Sequence, residues 1–146
     1  MKAVVVFDSN LGNTKKIAET LAKELGEDTK AISVSDFNIK DLNGIDLIIA
    51  GSPIIGWKPT EKMDKFLSDL DKDQLKGIKA ASFDTRVKLF IHGDAMEKIS
   101  DKLKNAGSEI IVKPQAFIVQ GKETVLADGE IEKAVKWAKS IKTKFE

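Results

Sequence analysis

The chain has no cysteine and no tyrosine, only three prolines, and a single histidine, His92. Without cysteine there are no disulfides, no thiolate metal ligands and no redox-active thiols. One histidine excludes a multi-histidine metal centre and argues against a Ser-His-Asp hydrolase. Neither sign of charge dominates: 24 Lys and Arg face 23 Asp and Glu, a net charge of +1. The lysines are spread along the chain, which argues against a nucleic-acid module or an anionic membrane surface as partner. Long apolar runs are missing as well, and no segment approaches the ~20 residues of a membrane span. The apolar stretch from Ala3 to Phe7 is cut by Asp8, too short for a signal peptide, so a cytoplasmic location with no membrane association is expected. Also absent are the Gly-Lys-Ser/Thr loop of nucleotide kinases and the Gly-x-Gly-x-x-Gly turn of dinucleotide dehydrogenases.

What remains is an ordinary globular composition, 42% apolar and 32% charged, over 146 residues, the usual size of one domain spanning 1–146. Apolar runs alternate with helical periodicity from end to end. Val4 to Phe7, Thr29 to Val34, Asp46 to Ala50 and Lys79 to Phe83 read as strands. A fifth, Ile110 to Val112 with Phe117 to Val119, is interrupted by Pro114, which places it at an edge or predicts a bulge. Helical stripes run through Ile17, Leu21 and Leu25; Met63, Phe66, Leu67 and Leu70; Met96, Ile99 and Leu103; and Ile131, Ala134, Val135, Ala138 and Ile141. A polar connection is expected around Asp41 and Asn43, and the stretch after Asp84-Thr85-Arg86, to about Gly93, is ambiguous. The pattern predicts an α/β fold: one doubly wound, five-stranded parallel sheet with helices on both faces. Such sheets bind ligands beyond the carboxyl ends of their strands, where the loops at Ser9, Ser52 and Asp84 fall.

The segment after the first strand is the most informative. Ser9-Asn10-Leu11-Gly12-Asn13-Thr14 leads at once into an amphipathic helix. The unpaired N–H groups and the dipole at a helix N-terminus favour an anion, and Gly12 lets the backbone approach one. The first helical turn carries Lys15 and Lys16 and no acid, which suits a helix whose N-terminus faces a phosphate; in its absence both lysines are simply solvated.

This loop resembles the phosphate-binding pattern of the flavodoxin family, Thr/Ser-x-Thr/Ser-Gly-x-Thr. Gly51-Ser52-Pro53 through Gly56-Trp57 resembles the family's second loop, over one face of the flavin. Ala81 to Arg86 and Val125 to Glu132 resemble a little-studied branch of flavodoxin-like proteins. The resemblance implies non-covalent flavin mononucleotide (FMN) and single-electron transfer between redox partner proteins, by a monomer or weak dimer. By position, Ser9, Asn10, Gly12, Asn13 and Thr14 would hold the phosphate. Ser52, Pro53, Ile54 and Ile55 would form the second loop, Gly56 would turn its peptide toward the flavin N5, and Trp57 would stack on the ring. Asp84, Thr85 and Arg86 would line the pyrimidine side, with Arg86 either near the N1–O2 edge or in a surface ion pair. Trp137 is structural, and His92 carries a locally bonded or exposed side chain rather than a role toward the flavin.

The chain also departs from that pattern. Leu11 stands where a hydroxyl is usual, removing a hydrogen bond of ~1 kcal/mol. No tyrosine is available for a second stacking ring, leaving Phe90 as a substitute. Near-neutral charge sets the chain apart from strongly acidic relatives and from their basic partners. These departures keep open a protein-interaction module with weak or lost FMN binding. A small FMN-dependent quinone reductase is the further alternative, although the chain has little room for the substrate-pocket insertions. Asp8 and Lys113 sit as in a response-regulator receiver, yet Ala50-Gly51-Ser52-Pro53 offers no phosphoryl-accepting aspartate.

Overall fold

A computed structural model describes residues 1–88, 93–120 and 125–146. Phe90 and His92 lie outside the described residues. In order, the elements are β1 (Ala3–Phe7), α1 (Asn13–Leu25), β2 (Thr29–Ser33), a 3₁₀ turn (Ile39–Leu42), β3 (Leu47–Pro53), α2 (Glu61–Ser68) and β4 (Lys79–Val87), followed by α3 (Met96–Asn105), β5 (Glu109–Ile110), β6 (Gln115–Gln120), β7 (Val125–Leu126) and α4 (Glu130–Phe145).

The strands lie in the order β2-β1-β3-β4-β6-β7, with β5 also paired to β4, and every pairing is parallel except β6 with β7. Alternating side chains divide the core between the two faces. Val5, Phe7, Ile49, Ala81 and Phe83 pack with α1 and α4, while Val4, Val6, Ile48 and Ala80 pack with α2 and α3. This is the doubly wound sheet the alternation predicts. Its fifth strand, however, is two pieces. Ala80 pairs with Ile110 and Phe83 with Gln115, so Ala81 and Ser82 oppose the four residues Ile111 to Pro114. That bulge sits where Pro114 removes a donor from the ladder. The short antiparallel β7 then covers the outer edge of β6, which is why seven strands stand where five are expected.

Two other expectations shift. Ile131 is 39% exposed, and the inner stripe of α4 is instead Ala134, Trp137, Ala138 and Ile141. Glu130, at the start of that helix, is buried because its carboxylate accepts from the Ile118 N–H and pairs with Lys133. The Trp137 ring closes an edge-to-face trio with Phe83 and Phe117, with centroids 5.8 to 6.1 Å apart. Gly51, which reads as loop punctuation, lies inside β3 opposite Phe83. A Cβ there would come within 2.1 Å of the Phe83 ring, so the aromatic cluster occupies the space a side chain would need. Among the described residues no helix is long and apolar enough to cross a membrane, and no acidic or histidine cluster could hold a metal.

Candidate functional site at the carboxyl edge

Sheet order reverses between β1 and β3, and the loops leaving these two strands open a crevice at their carboxyl ends. The first loop ends at Gly12, the N-cap of α1, whose φ of +90° is a conformation only glycine adopts without strain. Gly12 brings no capping side chain, and the first turn of α1 has no acid. Ser9 organises the loop from within: its Oγ accepts from the N–H groups of Gly12 (3.1 Å) and Lys15 (3.3 Å). Lys15 and Lys16 are exposed beside it, and Asn13 and Thr14 are buried. The Thr14 hydroxyl meets that of Thr85 at the end of β4, 2.9 Å away.

The second loop closes on itself. Ile55 and Lys58 exchange two backbone hydrogen bonds, 2.8 and 3.3 Å, around Gly56 and Trp57. Both central residues have positive φ, +58° and +72°, the signature of the mirror-image type I′ turn. Glycine at the first position is suited to it, but tryptophan at the second is strained. The Trp57 carbonyl accepts from the Asp94 N–H (3.1 Å), and Gly93 is pressed so closely on Trp57 that a Cβ would lie 2.5 Å from its Cα. The second loop therefore rests, backbone to backbone, on the segment leading into α3.

A cleft of about 240 Å³ joins these parts, lined by Asn10, Leu11, Asn13 and Thr14 of the first loop, Pro53 and Ile55 of the second, Thr85 and Val119. Two sequence-predicted loops thus meet in one cleft with β4, which runs on through Asp84 to Val87 where the sequence predicts a loop. Ile55, not Trp57, lines the cleft; Trp57 is 58% exposed, as is Leu11. Ile54 and the buried Ser52 stand behind the second loop, where the Ser52 hydroxyl accepts from Thr60 N–H and donates to the Pro53 carbonyl.

Strand alternation separates Asp84 and Arg86 from Thr85. Only Thr85 reaches the cleft, while the other two turn toward the start of α3. Asp84 is fully buried and holds the Arg86 guanidinium in a two-pronged ion pair (Nε to Oδ1 2.9 Å, Nη2 to Oδ2 2.6 Å). Its Oδ2 also accepts from the N–H groups of Ala95 and Met96. Arg86, with its side chain 11% exposed, reaches Asp94 at 3.7 Å. The pair with Asp84 is buried, not the surface pair that the sequence leaves open. The hydrogen bond to Asp84 raises the guanidinium pKa above its ordinary value against the opposing effect of burial.

Val119, Thr60 and Gly93 do not stand out as site residues in the sequence, and Asp8 does so only in the receiver-like alternative. Thr60 carried a legible signal, a hydroxyl immediately before the acidic first turn of a helix, and its Oγ1 does cap α2 by accepting from Met63 N–H. Val119 is inward by strand alternation with Phe117, visible only once the bulge at Pro114 fixes the phase.

Together these features define a doubly wound α/β protein with a glycine-capped helix N-terminus and a cleft at its switch point. The family model described as a flavodoxin domain matches residues 4–121, and the chain belongs to the flavodoxin family. It is 31% identical over 123 residues to a flavodoxin of Clostridium beijerinckii, covering 80% of this chain and 84% of that one. A flavodoxin of Maridesulfovibrio salexigens is 28% identical over 99% of both chains. In fold it is similar to a flavodoxin from the domain Archaea, with a TM-score of 0.82 at 24% identity over 99% of each chain. It is also similar to oxidised flavodoxin 1 of Bacillus cereus, with a TM-score of 0.81 at 23% identity over 99% and 97%. FMN is the cofactor of this family.

Proposed function

We propose that this chain is an FMN-binding electron carrier that passes single electrons between redox partner proteins in the cytoplasm, as one domain spanning 1–146. The observation that carries the reading is the meeting of a glycine-capped helix N-terminus and a type I′ loop in one cleft. The residues fit a phosphate-bearing ligand: a cradle of small polar residues, two exposed lysines beside it, and no acid in the first turn of α1.

In this reading Ser9, Asn10, Gly12, Asn13 and Thr14 hold the phosphate through backbone N–H and side-chain groups. Leu11, Pro53, Ile55 and Val119 exclude water along the cleft. Gly56 and Trp57 present their shared peptide, and Trp57 its indole, to the ring edge. Thr85, fixed by Thr14, lines the interior, while Asp84 and Arg86 hold the segment leading into α3. The chain supplies no nucleophile or general base; bound FMN supplies the redox chemistry, and the protein orients and shields it. Adding FMN to apoprotein and separating by size tests this. One equivalent of flavin co-eluting with the protein supports it, and flavin eluting wholly free points to an interaction module on the same scaffold.

A further inference from the structure

Asp8 is a buried carboxylate at the end of β1, 8% exposed, with no ion-pair partner among the described residues. An acid at the entrance to an anion cradle needs a reason, and its hydrogen bonds supply one. Oδ1 accepts from Ser9 N–H (3.0 Å), the first amide of the phosphate loop. Oδ2 accepts from the Thr60 hydroxyl (2.6 Å), at the far end of the second loop. Thr60 in turn donates its N–H to Ser52 Oγ (3.0 Å), which closes the second loop across its base, and caps α2 through Met63.

We propose that Asp8 is a positioning residue, whose carboxylate fastens the second loop to the phosphate loop so that the two ends of the flavin site keep a fixed separation. Leu11 and Ile55 both line the cleft, and the Asp8–Thr60 bond is a direct side-chain link between the ends of the loops that carry them. A hydrogen bond to a charged acceptor is stronger than a neutral one, which makes a carboxylate a better fastener than an amide or hydroxyl. The benefit is geometric, and the charge itself is a cost beside a phosphate. This inference rests on the FMN reading and assigns that site a residue the phosphate pattern does not contain.

The test measures FMN affinity of Asp8→Ala, Thr60→Val, their double variant and Asp8→Asn, with inorganic phosphate as competitor. Breaking the link from either side should weaken FMN binding about tenfold, and the double variant should bind no more weakly than either single one. Thr60→Val should leave the competing strength of inorganic phosphate unchanged, because only the second loop has come loose. Asp8→Asn, which keeps the shape and one of the two oxygen acceptors, should recover part of the affinity lost in Asp8→Ala. Asp8→Ala or Thr60→Val binding FMN as tightly as wild type, or losses that add in the double variant, overturn the proposal. Should Asp8→Ala fail to fold, Thr60→Val still decides it: an affinity equal to wild type, or a changed competing strength of inorganic phosphate, overturns the proposal. A wild-type protein that binds no FMN defeats the parent reading instead, a result distinct from any variant effect.

Discussion

The hydroxyls of Thr14 and Thr85 meet in the interior, 2.9 Å apart across 71 residues of sequence. The contact joins the first turn of α1 to the last part of β4, and so ties the first loop's helix to a strand that lines the cleft. Thr85 is inward only because β4 continues as a strand to Val87. The polar run Asp84-Thr85-Arg86 hides that continuation from hydropathy.

Leu11 is where the first loop departs from the family's pattern, and it is 58% exposed, so replacing it disturbs no core. Leu11→Thr restores a hydroxyl to the loop. It should tighten FMN binding about fivefold, the worth of one hydrogen bond of ~1 kcal/mol, with little change in stability. Quenching of flavin fluorescence reports the affinity; an unchanged or weaker constant contradicts a phosphate at this loop.

Trp57 carries a φ of +72°, which costs a bulky L-residue about 1 kcal/mol. Trp57→Gly suits the second position of a type I′ turn, so the apoprotein should gain roughly 0.5–1 kcal/mol in urea unfolding. If the indole covers the ring, FMN affinity should fall in the same variant. Stability and binding then move in opposite directions, and a variant that loses both would assign Trp57 to packing alone.

Asp84 is the hub of the segment before α3, compensating Arg86 and accepting two helix amides. Asp84→Ala strands a largely buried guanidinium and should cost about 3 kcal/mol or more, read by denaturant unfolding. The pH sign follows from the Arg86 shift. Because the folded-state pKa is raised, its stabilising effect is complete below the ordinary guanidinium range and is lost only as pH rises through the folded value. Between neutral and mildly alkaline pH the wild-type clamp should therefore make no contribution to a change in unfolding free energy.

The first loop and its helix were legible in sequence because their signals are local: an apolar run, small residues, a glycine, then a stripe at helical spacing. The doubly wound order follows from the alternation of elements. The phase of α4 was harder, since Ile131 and Trp137 compete for one stripe. The deciding partners, Phe83 and Phe117, are distant in sequence. The same holds at the site. Gly56 announces a turn, but the positive φ of Trp57 depends on Asp94 and Gly93 from another loop. Asp8 looks like a strand terminator until Thr60 is found beside it. Periodicity tells which face a residue takes, while long-range hydrogen bonds must be seen in three dimensions.

The central claim is that a phosphate dianion docks at the N-terminus of α1. Calorimetric titration of the apoprotein with FMN and, separately, with riboflavin tests it most directly. The account predicts one FMN per chain, bound at least about tenfold more tightly than riboflavin, which lacks the charged group. Equal affinities for the two flavins, or no heat with FMN, would contradict it.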